Sequence, residues 1–183
     1  MKEVVLGITG SIAAYKAADI ASKLVKSKIN VNTIMTASAT KFITPLTFQT
    51  LTKNRVYTDM FEDVFYPDVR HISLAQKADC FVIAPATANI IGKIASGIAD
   101  DMLSTVIMAV RNKPVIIAPA MNTAMYENPV TQSNIKKLAD LGYIFVEPKE
   151  SLLACGDLGK GALADVENII SAVEKALHCE VKT

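Results

Sequence analysis

Asn122 places a side-chain amide directly behind an apolar run, residues 115–118, where a buried strand must stop. Ligands collect at the carboxyl ends of strands in open α/β sheets, so this amide, flanked by Pro119, Met121 and Met125, is suited to orient a substrate group. Its other role is the cap of a turn or helix. Gly10, Ser11 and Ile12 follow a second apolar run, 4–8, as a tight turn leading into a helix, which offers backbone N–H groups and a positive helix end to a phosphate. Thr36 and Ser38 supply hydroxyls after the run 31–35, where a dinucleotide enzyme would carry Asp or Glu. The glycine spacing is not GxGxxG either, so a mononucleotide fits better than a dinucleotide. Ala84, Pro85, Ala86 and Thr87 are small enough to let a flat ring lie against backbone, and Asn89 reads as the cap of the helix that follows. His71, beside Arg70, is either a candidate base or a half-buried residue on a helix surface. Cys155 lies in a Gly-rich segment expected to be mobile, and a free thiol, mostly protonated at neutral pH, can give up a proton.

These groups require a scaffold of strands that end along one edge. Apolar runs at 4–8, 31–35, 80–84, 115–118 and 143–146 read as strands, with a sixth near Val56. Ala14, Ala17, Ala18, Ala21, Leu24 and Val25 recur at helical spacing and give a small-residue face for packing on a sheet. Further helices are expected over 90–110, 133–141 and 165–177, with a short one starting at Thr44-Pro45. Alternation of strand and helix predicts an α/β, doubly wound, mostly parallel sheet of about six strands with helices on both faces. Asp100 and Asp101, adjacent on the long helix, would point about 100° apart and so suit a cap, an interface or a solvated role better than joint acid–base work.

Composition narrows the rest. The 183 residues are 51% apolar and 6% aromatic, enough for one core and one domain, 1–183. Nineteen basic against 18 acidic residues leave a formal charge of +1, which gives no reason to invoke nucleic acid. Polar residues interrupt every apolar stretch before it could span a bilayer, and the start lacks a signal-peptide pattern, so a cytoplasmic protein is expected. Three cysteines without CxxC spacing and two distant histidines support neither a disulfide framework nor a zinc site; Cys80 reads as a core residue and Cys179 as near a chain end.

GITGSIAAYK, HISLAQKAD, APATANIIGKIASGIADDMLS, PAMNTAMYENP and LACGDLGKGALAD resemble, in order and spacing, the motifs of the homo-oligomeric flavin-containing cysteine decarboxylases. The resemblance runs from residue 4 to about 166. It implies a Rossmann-like fold, bound FMN, and a trimer, sometimes assembled into a dodecamer, with active sites between subunits. It implies conversion of 4′-phosphopantothenoylcysteine to 4′-phosphopantetheine in coenzyme A biosynthesis. In that chemistry, oxidation of the CH₂–SH group to a thioaldehyde provides the electron sink for loss of CO₂, and the resulting enethiolate is protonated and reduced again. Family members that decarboxylate a peptide's C-terminal cysteine in lantibiotic maturation, flavin prenyltransferases, and non-enzymatic regulatory relatives are the alternatives.

Carried onto this sequence, the resemblance implies FMN contacts at Gly10, Ser11, Ile12, Thr36, Ser38, Phe42, Ala84, Pro85, Ala86, Thr87 and Ala120. Asn122 matches the residue that holds the cysteinyl carboxylate, His71 the active-site histidine contributed across the subunit interface, and Cys155 the cysteine of the substrate-covering loop. Ala154, Gly156 and Lys160 are the remaining substrate contacts implied. Many fused bacterial relatives carry GxGR in that loop where this chain has Gly159, Lys160, Gly161 and Ala162, which leaves Lys160 as a candidate source of positive charge. With Thr183 as the last residue, the phosphopantothenate-cysteine ligase that makes the substrate is expected on a separate polypeptide.

Overall fold

Alternation along the central strands divides the core into two layers. The computed structural model describes residues 1–61, 70–152 and 158–178, with Leu152 and Leu158 as backbone only. Strand β1 (Glu3–Ile8) sends Val4, Leu6 and Ile8 into one layer and Val5 into the other. Strand β4 (Cys80–Ala86) divides in the same way, with Cys80, Val82 and Ala84 opposite Phe81, Ile83 and Ala86. In β5 (Val115–Pro119), Ile116 and Ala118 oppose Val115 and Ile117. All residues of β4 and β5 are buried, as parallel strands covered on both sides should be.

Outside them lie β2 (Asn30–Met35), β3 (Val56–Tyr57) and β6 (Ile144–Phe145), all paired parallel in the order β3-β2-β1-β4-β5-β6. The order in which successive strands are added therefore reverses between β1 and β4, which opens a crevice at their carboxyl ends. The doubly wound arrangement expected from the sequence is present.

Helices α1 (Ala14–Lys26), α2 (Pro45–Thr52) and α8 (Val166–His178) bury Ala17, Ile20, Leu24, Phe48, Ile169 and Val173 on one face. On the other face α3 (Arg70–Lys77), α4 (Ala88–Ser96), α5 (Met102–Ala109) and α7 (Pro129–Asp140) contribute Leu74, Ile90, Ile91, Leu103, Val106 and Leu138. A short helix, α6 (Thr123–Glu127), links β5 to α7.

Two elements differ from the sequence expectation. The single helix expected over 90–110 is two, because Gly97 takes a left-handed conformation (φ +71) that ends α4, and Asp101 then caps α5 in a reciprocal box with Ser104. Asp100 and Asp101 therefore lie in a turn, where both carboxylates accept hydrogen bonds from Lys93, at 2.6 and 2.8 Å. Residues 149–162 hold an antiparallel pair, β7 (Lys149–Leu152) and β8 (Leu158–Ala162), that apolar runs do not announce. Among the described residues no helix is long and apolar enough to cross a membrane.

Candidate active site

Three strand ends meet through short polar links. Thr9, the first residue past β1, is 2% exposed; its hydroxyl donates to the Pro85 carbonyl at 2.7 Å and accepts from the Thr87 N–H at 3.1 Å. The Ala120 N–H donates to the Ala86 carbonyl at 2.9 Å and ties β5 to β4 beyond their regular ladder. Thr87, rather than Asn89, caps α4, accepting from the Ile90 N–H at 3.4 Å; Asn89 is exposed one residue into the helix. The correction has a simple cause: the chain is still extended at Thr87 (ψ 161), the conformation a cap needs.

Gly10 packs where a side chain cannot. A Cβ there would stand 2.4 Å from Ser38 Cβ, so the β1 and β2 loops touch through a bare backbone. Within the first loop the Ser11 N–H, one of the amides expected to serve a phosphate, donates to the Thr9 carbonyl, and the Ala13 N–H donates to Ser11 Oγ. Thr36 Oγ1 likewise accepts from the Ala39 N–H at 3.3 Å. Ile12 and Phe42 are 59% and 50% exposed, leaving large apolar surfaces on the two loops. A hydroxyl-lined, glycine-tight cradle with apolar flanks suits a phosphorylated planar ring.

On the third loop, Asn122 Oδ1 accepts from the Ala124 N–H at 2.8 Å and caps α6. Of the two readings of this residue, the cap is the one the geometry shows. Strand β8 lies against this segment: the Met121 N–H donates to the Gly161 carbonyl at 2.9 Å, and a Cβ on Gly159 would meet Thr123 Oγ1 at 2.5 Å. Gly161 thus serves close approach of two backbones, and Gly159 makes room for the Thr123 side chain. The tip between β7 and β8, with Ala154, Cys155 and Gly156, lies outside the described residues.

Lys160 has an acidic partner: its ammonium donates to Glu147 Oε2 at 2.6 Å and lies 5.6 Å from the Tyr126 ring centre, and the Glu147 hydrogen bond raises its pKa. His71 occupies the first turn of α3, a helix that packs on α5, while Asn122 stands beyond β5. Cys80 is fully buried, and burial pushes its thiol up to about 12, as an inert core residue requires.

A groove of about 790 Å³ lies at the β6 edge, lined by Pro114, Ile144, Phe145, Ala172 and Lys175, away from the β1, β4 and β5 loops. Its lining also includes Asn112, Asn168 and Ser171, but none of the strand-end residues 9–12, 36–38, 84–87 or 120–122. Sequence reasoning missed Thr9 and Thr123. Thr9 carried one legible signal, a lone hydroxyl between an apolar strand and a turn glycine; Thr123 carried none.

Residues 1–178 match the family model described as Flavoprotein, and the chain belongs to that family. Within it, the chain is 49% identical over 177 residues to a probable phosphopantothenoylcysteine decarboxylase of Streptococcus mutans, covering 96% of this chain and 99% of that one. It is also 51% identical over 174 residues to the bifunctional coenzyme A biosynthesis protein CoaBC of Bacillus subtilis; the match covers 95% of this chain but 43% of that protein. Among solved structures, a cysteine-to-serine mutant of PPC decarboxylase complexed with pantothenoylaminoethenethiol superposes with a TM-score of 0.87, at 36% identity, over 95% of this chain and 97% of that one. The FMN-dependent cysteine decarboxylase SpaF gives 0.84, at 34% identity, over 97% and 95%.

Proposed function

We propose that the chain binds FMN in the crevice between β1 and β4 and decarboxylates 4′-phosphopantothenoylcysteine to 4′-phosphopantetheine. The observation that carries this reading is the joining of the Gly10–Ser38 cradle, the Ala84–Thr87 segment and the Asn122 loop along one sheet edge. The relatives support it twice over: one nearly full-length relative is a probable decarboxylase of this substrate, and SpaF is FMN-dependent.

FMN, when bound, supplies a two-electron sink that takes up and returns the electrons of the substrate's CH₂–SH group. The protein's own part is to hold and orient. Asn122 grips the cysteinyl carboxylate through a neutral amide, whereas a cation there would stabilise the starting carboxylate more than the transition state in which its charge departs. Cys155 gives a proton to the enethiolate after CO₂ has left, and His71 of a neighbouring subunit serves the thiol oxidation as base or electrostatic partner. Assembly as a trimer or dodecamer completes sites that one chain leaves as an open crevice. A phosphopantothenate-cysteine ligase supplies the substrate, and the reaction takes place in the cytoplasm.

The test is mass spectrometry of the substrate after incubation with the yellow, FMN-loaded protein. Loss of CO₂ is expected. Unchanged substrate beside a decarboxylated peptide ending in cysteine would replace this reading with the peptide-directed one.

A further inference from the structure

Regular pairing between β1 and β4 ends at Gly7 with Ile83, and the β4–β5 register shifts between Ile83 and Ala86. Backbone groups at Pro85 and Thr87 therefore leave the β1 ladder just where the small-residue segment begins, and buried polar groups need partners. One side chain serves both: the Thr9 hydroxyl donates to Pro85 O and accepts from Thr87 N–H. Ala86, held between them, accepts from Ala120 N–H, which extends the tie to the Asn122 loop. At 2% exposure Thr9 reaches this segment from below and offers no surface to a ligand.

We infer that Thr9 is a positioning residue for flavin binding, fixing the Ala84–Thr87 backbone against the loop 10–12 without touching the cofactor. The inference rests on the FMN reading above. A hydroxyl that both donates and accepts defines the separation of the two loops to hydrogen-bond tolerance, which apolar packing alone would not. Valine has the same shape without those bonds, and serine keeps them without the methyl.

The holoenzymes of wild type, Thr9→Val and Thr9→Ser are compared by FMN release rate on dilution and by the visible flavin spectrum at saturating FMN. Thr9→Val is expected to release FMN about tenfold faster, equivalent to about 1.4 kcal/mol, and to shift the flavin bands. Thr9→Ser should stay within about twofold of wild type. A valine variant with wild-type release and spectrum overturns the inference, and so does a serine variant that behaves like valine. A purely structural role would lower the denaturation midpoint and leave the spectrum of the saturated protein unmoved, which also overturns it. Should the valine variant fail to fold, hydrogen exchange of the Thr87 amide in wild-type holoenzyme decides: protection comparable to the β4 amides is expected, and unprotected exchange contradicts the inference. Wild-type protein that takes up no FMN would sink the functional reading itself, an outcome distinct from normal FMN binding that ignores the substitution.

Discussion

The Met121 amide donates to the Gly161 carbonyl at 2.9 Å, and a Cβ on Gly161 would stand 2.4 Å from the Met121 carbonyl oxygen. Strand β8 can lie on the Asn122 loop only because residue 161 has no side chain and adopts φ +152. Gly161→Ala is expected to lower stability by about 1–3 kcal/mol and to cut decarboxylation more than tenfold, read by thermal unfolding and by kcat/KM. An alanine variant with wild-type turnover would show that this docking is dispensable.

Gly10 and Ser38 make the corresponding contact between the β1 and β2 loops, where the proposal puts the flavin. Gly10→Ala brings a methyl to 2.4 Å from Ser38 Cβ, and the β1 and β2 loops must separate. FMN affinity should fall at least about tenfold by fluorescence titration. Adding Ser38→Gly should recover part of the loss, because the remaining contact, with the Ser38 carbonyl carbon at 3.2 Å, is milder.

Asn122 caps α6, and this role separates by substitution from the carboxylate contact proposed for it. Aspartate keeps the capping acceptor but sets a negative charge against a substrate carboxylate. Asn122→Asp should leave stability within about 0.5 kcal/mol while lowering kcat/KM at least about 100-fold. Thermal melts beside steady-state kinetics distinguish this from simple loss of the cap.

Asp101 gives the fold an acid-sensitive joint between α4 and α5. Burial alone would raise its pKa, but hydrogen bonds from Lys93 and Ser104 outweigh burial and hold it below the ordinary carboxylate value. A carboxyl whose pKa is lower in the folded than in the unfolded chain stabilises the fold fully above about pH 4 and loses that contribution as pH falls through the folded value. The unfolding temperature should therefore drop as pH is lowered below about 4, and Asp101→Asn, which keeps the cap without the titration, should show a shallower acid limb. An identical limb in both proteins would remove Asp101 from the account.

The sheet was legible because its strands carry an unambiguous code: residues 4–8, 80–84 and 115–118 are apolar throughout, and only burial on both faces explains that. Their ends followed directly, and with them Gly10, Thr87 and Asn122. The α4–α5 break escaped notice because Ile98, Met102 and Leu103 continue an apolar pattern across Gly97, and the left-handed cap is a property of backbone geometry. The β7–β8 pair escaped because Gly159, Lys160 and Gly161 have poor strand propensity; they form a strand by pressing against Met121 and Thr123, a contact between segments far apart in sequence. Glu147 as the partner of Lys160 is likewise a contact that only the fold reveals.

The most direct test is a crystal structure of the FMN-loaded protein with a substrate analogue that retains its carboxylate. The account expects the flavin ring against the Ala84–Thr87 backbone and a carboxylate oxygen within about 3 Å of Asn122 Nδ2. A flavin bound away from the β1–β4 crevice, or a carboxylate held elsewhere with the Asn122 amide turned from it, would contradict the account.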